Sequence, residues 1–287
     1  MTRAPVAFMI FNRPDETARV FERIRQARPR TLLVIADGPR NDAEHDLCEC
    51  TRSVVQNVDW DCDVRVNASA TNLGCRKRVS SGIDWVFNEV NEAIILEDDC
   101  LPDPTFFRFC DEMLDQYRDD PRVMHVGGSN FQLGVRPTKD SYYFSAINQI
   151  WGWATWDRAW RGHYDVSMKR WPEMRDTSFL QDLIGEAVAE KVSRGFDGVH
   201  SGKIDTWDNQ WTFAMWLAQG LAILPAVNLI SNIGFGANAT HTKKATSAIA
   251  NQSTEPMEFP LKHPVQVARN RAADDQAYLN MILSKAM

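Results

Sequence analysis

Residues 93–99 read Ala93-Ile94-Ile95-Leu96-Glu97-Asp98-Asp99, an aliphatic run that ends in three consecutive carboxylates. A short β-branched and aliphatic run predicts a strand buried on both faces, as in a mainly parallel sheet. Open α/β sheets bind their ligands outside the carboxyl ends of such strands. Three adjacent anions repel one another there, and a divalent cation held between them and a bound phosphate relieves the repulsion. Alternation along the strand predicts Glu97 and Asp99 on one face and Asp98 on the other. A solvated strand-to-turn junction is the competing reading, because Cys100-Leu101-Pro102-Asp103-Pro104 follows at once.

Outward from this run the pattern repeats. Residues 5–11 (PVAFMIF) and 31–36 (TLLVIA) read as buried strands, each closed by turn chemistry, Asn12-Arg13-Pro14-Asp15 and Asp37-Gly38-Pro39. Between them, 15–27 carries helical spacing, with Val20, Phe21 and Ile24 on one face. A third strand near 64–66 and a helix over 77–92 lead into the strand at Ala93. Strands alternating with helices predict a doubly wound α/β fold with a mainly parallel sheet. Beyond the carboxylates, Asp103 as N-cap and Pro104 as first residue predict a helix over 104–117. Strands are expected at 122–128 and 142–147, and helices at 151–160, 208–219 and 274–284. The polar stretch 243–263 reads as a mobile segment.

The chain has 287 residues, 44% of them hydrophobic, and a formal net charge of -6. Without a global basic field, nucleic acid is excluded as a partner on electrostatic grounds. No window approaches the roughly 20 apolar residues of a bilayer span, and 1–11 lacks a signal-peptide core. The expected location is cytoplasmic, compatible with peripheral association with a membrane. Six cysteines are scattered from Cys48 to Cys110 without zinc-pair spacing, as small hydrophobes of a reduced chain. Neither G-x-G-x-x-G after the first strand nor G-x-x-x-x-G-K-[ST] anywhere occurs, which disfavours dinucleotide and P-loop sites.

Polar groups at four strand ends or loops are candidates for one cleft. Arg13 offers a planar fork of donors to a phosphate or base edge, or is simply a loop arginine in water. Asp37 can accept from a uracil or ribose, or serve the Asp-Gly-Pro turn. Asn72-Leu73-Gly74-Cys75-Arg76-Lys77-Arg78 places cations at a helix N-terminus, where an anion would relieve their conflict with the helix dipole. Glu97-Asp98-Asp99 is the fourth. A basic anion cradle plus a carboxylate cluster is the pairing that a metal-bridged diphosphate needs.

The segments PVAFMIFNRP, ADGPR, NLGCRKRVSSGIDWVF and AIILEDDCLPDPTFFRF together resemble GT-A glycosyltransferases. More narrowly, they are similar to bacterial nucleotide-sugar transferases distantly related to N-acetylglucosaminyltransferase I. The resemblance extends through WGWATWDRAW and the acidic segment before Trp211 to NIGFGANATHT, covering roughly 5–242. It implies a single GT-A domain over 1–245, with a nucleotide-binding half (1–100), an acceptor-binding half (101–245) and a small acceptor-side subregion. Residues 246–287 would form an extension with the terminal helix.

By this resemblance Glu97-Asp98-Asp99 stands as the family's D-x-D motif, Asp99 being the Mn2+ or Mg2+ ligand and Asp98 the residue nearer the ribose. Arg13 and Asp37 would hold the nucleotide, and Arg76 and Lys77 would lie near the base or diphosphate. His241, in the Gly-rich loop 232–242, would reach the metal or diphosphate. The catalytic base of an inverting reaction would be Asp208 or Asp205, in Lys203-Ile204-Asp205-Thr206-Trp207-Asp208-Asn209. As plain helix chemistry, Asp205 reads as an N-cap and Asp208 as a first-turn acid of the helix that follows. Asn209 departs from relatives that carry a second acid there.

Trp151 and Trp153, after Asn148-Gln149, are the candidates to stack on an acceptor sugar, whereas Trp156 and Trp160 read as core. His125, inside an apolar segment, reads as a hydrogen-bonded core residue. The implied activity is metal-dependent transfer from a nucleoside diphosphate sugar, a UDP-sugar, to a glycan or glycolipid in polysaccharide biosynthesis. A nucleotide-sugar-binding or glycan-binding module without catalysis is the alternative. A nucleotidyltransferase ranks last, because Phe11-Asn12-Arg13-Pro14 lacks the glycines of a triphosphate loop.

Overall fold

The aliphatic run before the carboxylates is the fourth strand of an eight-stranded mixed sheet. The computed structural model describes residues 1–235 and 249–286, with side chains to residue 280. The first half runs β1 (Val6–Ile10), α1 (Pro14–Ala27), β2 (Thr31–Ala36), α2 (His45–Val54), β3 (Asp63–Ala68), α3 (Gly74–Glu89) and β4 (Glu92–Glu97). The second runs β5 (Cys100–Pro102), α4 (Thr105–Gln116), β6 (Val123–Gly127), β7 (Tyr142–Ser145), β8 (Trp153–Trp156) and α5 (Asp157–His163). It continues through α6 (Trp171–Met174), α7 (Phe179–Ile184), α8 (Glu186–His200), α9 (Asp208–Leu217), β9 (Leu221–Pro225), β10 (Ile230–Asn232) and α10 (Arg271–Ala286).

The strand order is β3-β2-β1-β4-β8-β6-β9-β7, with β5 and β10 in a separate antiparallel pair. The first four strands are parallel, Ala7 standing between Leu33 on one side and Ile95 on the other. Alternation sends their side chains to two cores. Val6, Phe8, Ile10, Ile94 and Leu96 meet Val20, Phe21 and Ile24 of α1 and the phenylalanines of α4. Ala7, Met9, Ala93 and Ile95 meet Val79, Ile83 and Val86 of α3 and Trp211 and Met215 of α9. A sheet covered on both faces by helices is the doubly wound α/β class that the sequence predicts.

Helix α9 is apolar on both sides because it is covered on both. While Trp211 and Met215 face the sheet, Phe213 and Trp216 pack on a small helical subregion built on Trp171, Leu180, Phe196 and Val199.

Two expectations are corrected. The expected helix over 151–160 is β8 followed by α5, with β8 antiparallel to β4 (Ile95 opposite Trp153) and to β6 (Gly127 opposite Trp153). Trp153 and Trp156, three apart, point into opposite cores, as strand geometry requires and a helix would not allow. The stretch read as mobile is tied down where it is described. Glu255 N–H donates to Asn228 O at 2.9 Å, Met257 N–H to Thr105 Oγ1 at 2.9 Å, and Leu261 is buried in the main core. Helix α10 docks as expected, through Asp274, which accepts from Ser145 Oγ and Arg269 Nε, both at 2.6 Å.

His125 is fully buried, with its ring stacked on Trp153 at 4.9 Å. Its Nε2 donates to Gln149 O at 3.1 Å, and its Nδ1 accepts the Trp211 indole N–H at 3.3 Å. Both ring nitrogens are therefore satisfied in the neutral tautomer, and protonating Nδ1 would set two donors against each other. Burial pushes the imidazole down to about 3, against a small opposing effect of the Gln149 carbonyl. The folded value lies below the unfolded one, so between about pH 6.5 and 3 the unfolded chain binds a proton that the folded chain does not. Stability must then fall on acidification, by about 2 kcal/mol from this group between pH 7 and pH 5. Denaturant titrations at the two pH values, on wild type and His125→Gln, measure the difference. An equal change in stability between the two pH values in the two proteins would show that His125 titrates alike in the folded and unfolded chain.

Candidate active site

The carboxyl ends of β1, β2 and β4 lie side by side, since Ile10 pairs with Ala36 and Met9 with Glu97. Whatever follows these strands is therefore gathered on one edge: Arg13, Asp37 and Glu97-Asp98-Asp99. Strand β4 ends at Glu97, and the chain turns through Asp98 and Asp99 before β5. The strand alternation expected for these carboxylates consequently stops at the first of them.

Asp98 is buried and accepts the Phe11 N–H at 3.1 Å. Arg13 reaches across from the β1 loop, its Nη1 lying 2.7 Å from Asp99 Oδ2 and 3.5 Å from Asp98 Oδ1. One nitrogen of the fork makes both contacts. Burial works against the Arg13 charge, but Asp98 and Asp99 outweigh it and the guanidinium pKa is raised. That single cation does not neutralise the cluster. Burial, with Asp99, Asp98 and Asp208 nearby, pushes the Glu97 carboxyl above its ordinary range. Burial and Asp99 push Asp98 up as well, with Arg13 opposing.

The β5–β10 pair brings a distant segment against Asp99. Ile233 N–H donates to Asp99 O at 2.8 Å, and Gly234 packs so closely on the Asp99 carboxylate that a side chain there would collide with it. Gly234 thus has a steric reason to be glycine, which the sequence reading missed because its partner lies more than a hundred residues away. His241 follows this segment but lies outside the described residues.

Asp37 is buried and organises its own side of the edge. It accepts from Gly38 N–H at 2.9 Å, Leu73 N–H at 3.0 Å and Asn72 Nδ2 at 3.0 Å. Burial nonetheless raises its pKa, with the Leu73 and Gly38 amides and the nearby Arg78 charge opposing. Asp37 thus holds the loop that leads into α3. Asn72, which sequence reasoning had not placed against it, is its partner.

The N-terminus of α3 was expected to be an anion site, and an anion does occupy it: the Asp205 carboxylate of this chain. Asp205 Oδ2 accepts Cys75 N–H at 3.0 Å and Oδ1 accepts Arg76 N–H at 3.1 Å. The expectation that Asp205 caps the following helix is corrected, since α9 begins at Asp208 and Asp205 caps α3. The Arg76 guanidinium donates to the Val199 and Thr206 carbonyls. Lys77 is exposed.

Asp208 opens α9, and its Oδ1 accepts from Thr206 Oγ1 and from Asn209 N–H, the latter at 2.9 Å. These bonds fix the carboxylate through one oxygen. Burial raises the Cys75 thiol pKa, as do Glu97, Asp208, Asp205 and Asp37 around it, so this half-buried residue marks where the acids of the edge converge.

Of the aromatic candidates, Trp151 is partly exposed and makes edge contacts with Phe131 at 5.1 Å and Phe235 at 5.6 Å. Trp153 is 1% exposed, between His125 and the Trp207 ring 5.6 Å away, and has no face left for an acceptor. Its expected sugar contact is corrected to a core role.

Among the described residues no group of three or more His, Cys, Asp or Glu side chains is arranged to hold a metal ion. Mg2+ and similar hard cations are commonly held by one or two carboxylates plus substrate phosphates and water. Asp98 and Asp99, already sharing the positive charge of Arg13, fit that smaller requirement.

No family model and no curated protein matches the chain. Among solved structures, a UDP-glucose pyrophosphorylase complexed with UDP-glucose is similar at 8% identity and a TM-score of 0.28, over 50% of this chain and 63% of that one. Mouse xyloside xylosyltransferase 1 in its apo form aligns at 12% identity and a TM-score of 0.34, over 74% of this chain and 80% of that one. The 4-diphosphocytidyl-2C-methyl-D-erythritol synthase of Anaerococcus prevotii aligns at 7% identity and a TM-score of 0.36, over 77% and 88%. Likenesses of this size assign no family and no activity, and the narrower resemblance to N-acetylglucosaminyltransferase I gains nothing from them. The fold class rests on the sheet itself. No helix among the described residues is long and apolar enough to cross a membrane.

Proposed function

We propose that the chain is a metal-dependent, inverting glycosyltransferase of GT-A type that moves a sugar from a nucleoside diphosphate donor, a UDP-sugar, to a glycan or glycolipid hydroxyl. The observation that carries this reading is the gathering of Arg13 with Asp98 and Asp99 at the carboxyl end of β4, with Asp208 close enough to Glu97 to raise its pKa. An under-neutralised acidic edge beside a cation suits a metal-bridged diphosphate, and a separate acid suits the acceptor.

In the transfer, a bond forms between the acceptor oxygen and the anomeric carbon while the bond from that carbon to the phosphate oxygen breaks. Asp208 takes the acceptor proton on Oδ2, because Oδ1 is held by Thr206 and Asn209. Arg13 and Asp37 hold the nucleotide, with Asp98 on the ribose side. Asp99 would hold Mn2+ or Mg2+, which when bound supplies charge to the departing diphosphate. Lys77 is the cation left for the nucleotide, since Arg76 spends its guanidinium on backbone carbonyls. Trp151 offers an acceptor sugar an apolar face.

Thermal unfolding with UDP, with and without Mn2+, on wild type and Asp99→Asn tests the site. UDP at about 100 times its dissociation constant adds roughly 2.7 kcal/mol, a rise of several degrees. The rise is expected only with Mn2+ and to vanish in Asp99→Asn. No shift with UDP or any other nucleoside diphosphate would overturn the reading. Binding without sugar transfer would leave a binding module.

A further inference from the structure

Asp205 and Arg76 cross the gap between α3 and the start of α9 in opposite directions. The Asp205 carboxylate takes the Cys75 and Arg76 amides, one on each oxygen, at 3.0 and 3.1 Å. The Arg76 side chain returns from that same turn to the Val199 carbonyl at the end of α8 and, through a long 3.5 Å bond, to the Thr206 carbonyl. Gly74 permits this approach. Its φ of +77° is the left-handed region, and a Cβ there would stand 2.9 Å from Asp205 Oδ2.

The held segment is the one that aims Asp208. Thr206, one residue after Asp205, gives its hydroxyl to Asp208 Oδ1, and its carbonyl also receives Gln210 Nε2 at 2.6 Å. Helix α3 is fixed to the same sheet face as β4 through Val79, Ile83 and Val86. The clamp therefore refers the position of Asp208 to the strand that carries Glu97. Each Asp205 oxygen is engaged by one of the Cys75 and Arg76 amides. While the carboxylate holds these two amides, they are not open to a phosphate.

We propose that Asp205 is a positioning residue that, with Arg76, sets the place of Asp208 relative to the donor edge, and that it stays on α3 when the nucleotide binds. The role given to Asp208 rests on the proposed function, whereas the clamp is a property of the ligand-free chain. Its test uses Asp205→Asn, which keeps the size of the side chain and one acceptor oxygen, together with Asp208→Asn and the double variant.

Hydrogen exchange of the full chain without ligand is expected to speed up about tenfold at the Cys75 and Arg76 amides in Asp205→Asn. UDP affinity in the presence of Mn2+ is expected to stay unchanged. Transfer should lose about tenfold in kcat with donor KM unchanged, and Asp205→Asn should cost almost nothing further in an Asp208→Asn background. Unchanged exchange would remove the clamp. An equal kcat loss in both backgrounds would give Asp205 a role independent of Asp208, and tighter UDP binding in Asp205→Asn would make it a placeholder for phosphate; either result overturns the proposal. If wild type transfers no sugar, the transferase reading fails by itself and the exchange measurement still decides the clamp.

Discussion

Asp208→Asn is expected to lower sugar transfer by roughly 10²- to 10⁴-fold while UDP and Mn2+ bind as they do to wild type. The substitution is nearly isosteric. Its carbonyl oxygen can keep the bonds from Thr206 Oγ1 and Asn209 N–H, so the first turn of α9 has no reason to move. What disappears is the basic Oδ2, and with it the acceptor for the proton released as the new glycosidic bond forms. Single-turnover transfer from a UDP-sugar, set beside UDP binding measured calorimetrically, separates the two effects. Transfer within twofold of wild type would reduce Asp208 to a first-turn acid, a role worth only a fraction of a kcal/mol through the helix dipole. The effect must fall on kcat, because the proposed function gives Asp208 the acceptor hydroxyl and leaves the nucleotide to other groups.

In the first half of the fold, β1, β2 and β4 were legible because each is a short aliphatic run with a turn signal behind it. PVAFMIF, TLLVIA and AIIL are buried from both sides, and a parallel sheet demands that pattern. The strand at Trp153–Trp156 was not legible for the same physical reason. All four of its residues are buried, so no alternation marks it, and tryptophans at 153, 156 and 160 imitate helical spacing. The β5–β10 pair was invisible because Cys100-Leu101-Pro102 has its partner at Ile230–Asn232, and nothing local announces so distant a pairing.

The site divides along the same line. Arg13, Asp37 and Glu97-Asp98-Asp99 could be read because they directly follow strands that could be read. The partnership of Asp205 with α3 could not, because a carboxylate that caps a helix 130 residues away looks in sequence like a cap for the next one. Gly234 against Asp99 escaped for the same want of a local signal.

Trp153→Ala is expected to destabilise the chain by about 3–5 kcal/mol, the range for removing a fully buried large aromatic side chain. Trp153 is 1% exposed and lies at the centre of an aromatic cluster. Its ring stacks on His125 at 4.9 Å and on Trp207 at 5.6 Å, with Trp211 at 5.9 Å and Trp160 at 6.3 Å. The strand that carries it is hydrogen-bonded on both sides, to β4 and to β6, so the backbone cannot collapse into the void. A cavity that stays open costs the lost contacts as well as the transfer free energy. At two to four degrees per kcal/mol for a chain of this order, the midpoint should fall by roughly 6–20 °C. Trp151→Ala is the control two residues away. Trp151 is partly exposed and touches Phe131 and Phe235 only by ring edges, so its removal should cost much less stability. If the two variants melted alike and Trp153→Ala lost only acceptor use, Trp153 would have to face the cleft, and the packing of β8 against α9 would be wrong.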